Sequence, residues 1–137
     1  MTGAAAFPPF ANLLAVAAGG ALGGLMRHAL IVAFPASPHQ FPWVIFAENI
    51  SGAFLLGLLL TVLQIRWPRR LKLRLFLATG ILGAFTTFSN YSVDIVLLAH
   101  QGSVGLALGY SLASIGIGLV ACYAGVVLGR AVTRIEQ

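Results

Sequence analysis

The sequence predicts an all-α membrane protein, a single domain over residues 1–137 with four transmembrane helices, the third broken near mid-span. Three observations carry this. Charged residues make up only 8% of the chain, against roughly 25% in soluble domains. Hydrophobic residues make up 59%, with a mean hydropathy of +0.96. The apolar residues gather into four runs, at 11–34, 43–65, 75–98 and 104–128. At about 1.5 Å rise per residue each run reaches ~34 Å or more, enough to cross a hydrocarbon core of ~30 Å. A net charge of +5 and a pI near 10.4 would suggest nucleic acid in a polar protein. Here the basic residues sit mostly at the ends of apolar runs and read as topology signals, so no nucleic-acid partner is expected.

The first run has no Lys or Arg before it and exceeds a signal-peptide core, so it is expected to remain as a membrane helix. It carries Gly19/Gly23 and Gly20/Gly24 at the four-residue spacing that lets helix backbones approach closely in lipid. Arg27, followed by His28, lies near its end. Arg27 has two readings: a side chain reaching to the interface, or a group capturing anions at a pore mouth. A connector with Pro35, Pro38 and Pro42 follows.

The second run holds Glu48 and Asn49 about a turn and a half inside its start, with Ala53/Gly57 beyond. An Asn amide offers two N–H donors to an anion without the cost of burying a charge. The bland alternative is a bond to a neighbouring helix. Glu48 points roughly 100° away from Asn49, and its bland reading is an interface carboxylate favoured by the helix N-terminus.

In the third run, Gly80 and Gly83 precede a polar stretch from Thr86 to Asp94. A regular lipid-facing helix fits this poorly, and a break is expected within 83–86. Irregular backbone survives at membrane depth only where protein or water satisfies it, and broken helices there serve as ion sites. Phe88 and Tyr91, three apart, share a face if helix resumes, and their ring edges can meet an anion or simply pack. The fourth run places Tyr110 and Ser114 on one stripe, with Ser111 beside them, and carries Gly105/Gly109 and Ala121/Gly125/Gly129. A membrane serine hydroxyl can also bond back to the carbonyl four residues before it.

Five of the eight Lys and Arg lie in the 66–74 connector, and Arg130 and Arg134 lie in the C-terminal tail. Arg27 alone lies towards the other side. The positive-inside rule places both termini and the 66–74 connector in the cytoplasm, in a single orientation. Cys122 reads as a small buried residue, and His39 and His100 receive no role. Four spans make a thin bundle, so a water-filled path is expected between subunits, in at least a dimer. No nucleophile, base and oxyanion-donor set is visible, and an enzyme is not expected.

The segments Gly19-Gly20-Ala21-Leu22-Gly23-Gly24-Leu25-Met26-Arg27, Glu48-Asn49-Ile50-Ser51-Gly52-Ala53-Phe54-Leu55-Leu56-Gly57 and Gly83-Ala84-Phe85-Thr86-Thr87-Phe88-Ser89 resemble the CrcB/Fluc fluoride channels, in order and over nearly the whole chain. The resemblance implies an antiparallel dimer in the cell membrane, two fluoride pathways along its interface and a central structural Na⁺. Asn49 is then similar to the pore asparagine, Phe88 and Tyr91 to a pair of pore phenylalanines, and Tyr110 and Ser114 to a helix-four tyrosine and serine. Main-chain carbonyls of Gly83 and Thr86 from each subunit would hold the Na⁺.

Three departures stand out: Tyr91 adds a hydroxyl, Glu48 replaces a small apolar residue, and Ile45 takes the place of a threonine. A carboxylate about 4 Å from fluoride would cost on the order of 4 kcal/mol at an effective dielectric of 20, so Glu48 is a candidate for perturbing one pathway. An antiparallel homodimer needs one sequence to insert both ways, whereas the charge bias here is seven to one. A heterodimer with an oppositely oriented paralogue is therefore expected. Two other readings stand beside the channel: a small proton-coupled exporter using Glu48, and a non-conducting subunit that completes its partner's pore.

Overall fold

The computed structural model describes residues 9–135. It contains four helical spans long and apolar enough to cross a membrane: Phe10–Ala33, Trp43–Arg66, Leu71–His100 and Val104–Arg134. The first two are unbroken helices, α1 (Phe10–Ala33) and α2 (Trp43–Arg66). The third is composite. It begins with the turn α3 (Leu71–Arg74), widens into a π-helical segment (Leu75–Leu82), tightens to α4 (Gly83–Phe85) and resumes as α5 (Phe88–His100). The fourth is α6 (Val104–Ile135).

Two boundaries differ from the sequence expectation by more than two residues. The third span starts at Leu71, so Lys72 and Arg74 are helical and belong to its first turns. The fourth helix continues past 128 to Ile135, and Arg130 and Arg134 ride on it instead of on a free tail. Both extensions have one physical reason: a basic residue can stay helical at the membrane surface by directing its long side chain into water.

Packing follows the glycines. α2 lies against α6, and α1 against the π segment and α4, while α5 joins α6. A Cβ on Gly19 would overlap the Phe76 carbonyl, and one on Gly23 would overlap that of Ile81. Across the same contact, a Cβ on Gly80 would meet Gly19 Cα at 2.8 Å. In the α2/α6 pair a Cβ on Gly57 would run into the Cys122 carbonyl, and one on Gly125 into that of Phe54. These are the backbone approaches that small residues permit in lipid. Gly20, Gly24, Gly105 and Gly109 face open space; two of the five predicted small-residue stripes are therefore not used within one chain. Cys122, expected to be buried, is only half-buried, although both its carbonyl and its Sγ lie against Gly57 at the seam.

On the side of the 34–42 connector, His39 adopts a left-handed backbone (φ 59°). Its N–H donates to Gln101 Oε1 at 2.9 Å, and its ring lies 3.4 Å from Ser103 Oγ. His39, given no role from sequence, ties two connectors together.

Candidate functional site

The break in the third span falls at Thr86 and Thr87, the centre of its 30 residues. Both are extended, with ψ 149° and 122°. The expected window of 83–86 is thus corrected at its start: Gly83 lies within a helical turn, and the two β-branched threonines carry the break. The side chains explain why the chain stays open there. Thr86 Oγ1 donates back to the Leu82 carbonyl at 2.9 Å, closing the first half. Thr87 caps the second half, its Oγ1 accepting from Asn90 N–H at 3.1 Å, the usual service of an N-cap threonine.

Asn49 completes the arrangement from α2. Its Oδ1 accepts from Thr87 N–H at 2.8 Å and its Nδ2 donates to the Thr87 carbonyl at 3.1 Å. One amide side chain therefore satisfies both backbone groups of an extended residue at membrane depth, where an unpaired group is costly. The diversion has a further effect. In a continued helix Thr87 N–H would serve the Gly83 carbonyl, and Asn90 N–H the Thr86 carbonyl. With those donors given to Asn49 Oδ1 and Thr87 Oγ1, both carbonyls lose their helical partners.

The aromatic residues gather close by. Phe88 is 79% exposed, with its ring centroid 5.6 Å from that of Tyr91. Tyr91 is buried, and its hydroxyl lies 2.9 Å from Ser111 Oγ. Tyr91 also packs 5.4 Å from Tyr110, which has no exposed surface and meets the edge of Phe41 at 5.2 Å. Tyr110 Oη donates to Asp94 Oδ2 over a long 3.5 Å. Ser114 does not bond back along its helix; its Oγ is buried without a partner among the described residues. Ser51, Thr61, Ser92 and Thr133 all do bond back to the carbonyl four residues before them.

Glu48 is 2% exposed, and neither carboxylate oxygen has a hydrogen-bond partner among the described residues. This is far from an interface carboxylate. Arg27 Nε is likewise buried without a hydrogen-bond partner among the described residues. Asn49 and Glu48, adjacent in sequence, thus serve different neighbourhoods: Asn49 meets the break, and Glu48 borders a cavity of about 650 Å³ together with Phe85, Asn90 and Asp94.

Sequence reasoning missed three participants. Thr87 was one of many hydroxyls in a polar run, and nothing in its spacing marks it as the residue that Asn49 clamps. Asp94 was assigned no role, although it lies three residues after Tyr91 and so on the same helix face. Phe41 sat in a connector and packs on Tyr110.

The class this geometry defines is a small four-span membrane protein with a helix opened at membrane depth, its freed backbone partly held by an asparagine. Comparison with known proteins identifies the family. The family model described as CrcB-like protein, Camphor Resistance (CrcB), matches residues 14–126. Relatives named fluoride-specific ion channel FluC include one from Agrobacterium fabrum, 43% identical over 87% of this chain and 96% of its own length. Another, from Beijerinckia indica, is 45% identical over 88% of this chain and 97% of its own length. FluC 2 of Nocardia farcinica is 39% identical over 98% and 94% respectively. The chain belongs to the CrcB family.

Proposed function

We propose that the chain is a subunit of a fluoride-selective passive channel that lowers cytoplasmic fluoride by efflux. The observation that carries this is the likeness, over most of both chains, to relatives named for fluoride-specific conduction. The site suits a small anion. The Asn49 amide has two N–H bonds, and with one engaged by Thr87 the other is free to donate. Ser114 supplies an unpartnered hydroxyl, and Phe88 and Tyr91 supply ring edges. Tyr110 backs them, and Arg27 offers a cation for capture at the mouth of the path.

The functional unit in this reading is an antiparallel dimer with a structural Na⁺ at its centre. The residues present fit that ion: the Gly83 and Thr86 carbonyls, freed of their helical donors, are the hard oxygen ligands that unwound membrane helices offer Na⁺. Na⁺ would supply positive charge that holds the two breaks together. The open faces of Gly20, Gly24, Gly105 and Gly109 are available to the second subunit. Both termini are cytoplasmic, and the seven-to-one bias of basic residues favours an oppositely oriented paralogue as partner over a second copy.

The test is fluoride efflux from liposomes carrying the purified chain alone, with Na⁺ present and chloride as control. Fast, selective efflux is expected from a self-sufficient channel. Silence from folded protein, relieved by adding an oppositely biased paralogue, assigns it to an obligate heterodimer. Glu48→Gln abolishes transport in a proton-coupled exporter and is tolerated by a channel. Asn49→Ser leaves flux unchanged only if the chain is a non-conducting scaffold.

A further inference from the structure

The end of the molecule opposite the 34–42 connector carries a charge that the fluoride reading does not use. There α2 ends, the third span begins and α6 ends. α2 and α6 run side by side in the same direction: a Cβ on Gly57 would meet the Cys122 carbonyl, and one on Gly129 would meet Thr61 Cβ at 2.9 Å. The last turns of α6 therefore lie beside the end of α2, with Thr133 buried and Arg130 and Arg134 exposed. Arg69, Arg70 and Lys72 are exposed at the same end, and Arg74 is half-buried there. Among the described residues the only carboxylates lie elsewhere. Glu48 precedes Arg66 on α2 by some 27 Å of helix axis at about 1.5 Å per residue, and Asp94 lies beyond the break on α5. The connector turn is held in shape: Arg70 N–H donates to the Trp67 carbonyl at 3.0 Å, and the Arg70 guanidinium sits 5.8 Å from the centre of the Trp67 ring. Trp67 is 47% exposed, and Ile65, Leu71, Leu128 and Val132, interspersed with these cations, are exposed too. Uncompensated cations, exposed apolar side chains and a tryptophan at the ends of membrane spans match an amphiphile with an anionic head and apolar tails. A soluble polyanion would engage the charges and leave the apolar groups in water.

We infer that this rim is a binding surface for anionic phospholipid, with Arg69, Arg70 and Lys72 of the connector turn and Arg130 and Arg134 of α6 as charge partners of the headgroup phosphate. One Lys or Arg near a headgroup favours an anionic over a neutral lipid by roughly fivefold. The surface is at least that selective, and its selectivity falls as salt screens the charges.

The experiment is tryptophan quenching in liposomes carrying the purified, assembled protein. The chain has two tryptophans. Trp43→Phe leaves Trp67 to report on the basic rim, and Trp67→Phe leaves Trp43 to report on the opposite end. Each protein is reconstituted in mixed phosphatidylglycerol and phosphatidylcholine, with bromine on the acyl chains of one lipid or of the other. The expected result is a preference of Trp67 for phosphatidylglycerol of at least about fivefold in relative affinity, falling with salt, against less than about twofold at Trp43. Combined Arg69→Gln, Arg70→Gln and Lys72→Gln, or Arg130→Gln with Arg134→Gln, should each lower the Trp67 preference at least about twofold. Variants are first matched to the wild type in thermal unfolding and elution volume, and the salt titration keeps every cation, so it stands whether or not the variants fold. Because no ion flux is read, the outcome is separate from that of the fluoride reading. Equal quenching by the two lipids, equal preference at the two tryptophans, a preference that salt leaves unchanged, or an unchanged preference in folded variants overturns the inference.

Discussion

Replacing Asn49 by Leu keeps the side-chain volume close while removing both bonds to Thr87. Individual side-chain hydrogen bonds within membrane proteins average about 0.6 kcal/mol and reach about 1.7. Two lost together therefore predict a destabilisation of about 1–3 kcal/mol. The upper part of that range applies if Thr87 N–H and C=O stay orphaned, because a buried unsatisfied group costs about 1–3 kcal/mol. The lower part applies if Thr87 N–H turns back to the Gly83 carbonyl and the helix partly closes. Asn49→Asp separates the two bonds. It keeps an acceptor for Thr87 N–H but sets a carboxylate oxygen against the Thr87 carbonyl, so it loses the donor half of the clamp. The assay is reversible unfolding in mixed detergent micelles at fixed protein concentration, followed by circular dichroism. At about 1.4 kcal/mol per tenfold change, the expected loss for Leu is a several-fold to hundredfold shift in the folding equilibrium. A loss below about 0.3 kcal/mol in both variants would refute the clamp, since neither bond could then be holding the break open.

The glycines give a contrast within one helix. Gly23→Ala drives a methyl into the Ile81 carbonyl and should destabilise the α1 contact by about 1–3 kcal/mol. Gly24→Ala meets open space within the chain and should leave the α1 contact intact, as thermal unfolding of the two proteins, kept monomeric in detergent, would reveal. Tyr91→Phe removes only the contact with Ser111, so it should cost about 0.5–1.5 kcal/mol and leave fluoride efflux within about twofold, checked by unfolding and an electrode trace. Replacing Na⁺ by a bulky organic cation during reconstitution should slow efflux if the Gly83 and Thr86 carbonyls hold the ion, and cross-linking yields should show whether the dimer loosens with it. Neutralising Arg69, Arg70 and Lys72 together should produce molecules of both orientations, read by labelling of single cysteines from each side of the membrane.

The four spans were legible because membrane insertion reads a one-dimensional property: length and apolarity fix them, and the structure moves their ends by more than two residues only where Lys72, Arg74, Arg130 and Arg134 stay helical. The existence of a break was legible for a related reason, since a polar run at mid-span is incompatible with a plain lipid-facing helix. Its position was not. Glycine marks where a helix can break, but Gly80 and Gly83 remain helical, and Gly80 is used for its lack of a side chain against Gly19. What opens the chain is competition for hydrogen bonds between Asn49, Thr86, Thr87 and Asn90, spread over two spans, and spacing along one helix does not encode it. Asn49 was singled out by its donors, while the partner that occupies one of them became visible only in three dimensions.

The two readings first weighed for Asn49, ligand donor or helix-to-helix bond, are compatible once the amide is counted atom by atom. Its oxygen and one N–H are spent on Thr87, which fixes the side chain, and the remaining N–H is oriented by that restraint. A donor held in this way loses little conformational freedom when an anion arrives, which is how preorganisation converts structural bonds into affinity. The same diversion of Thr87 N–H strips the Gly83 carbonyl of its helical partner, so one side chain leaves both an N–H donor and a carbonyl acceptor unspent beside a single break, the two groups that the proposed channel would use for fluoride and Na⁺. Substituting Asn49 should therefore couple the two ions. In Asn49→Ser, which removes the bidentate amide, fluoride efflux should fall and its dependence on Na⁺ should change together. An unchanged Na⁺ dependence, measured by efflux across a Na⁺ titration, would mean that the break is held open by the threonines alone.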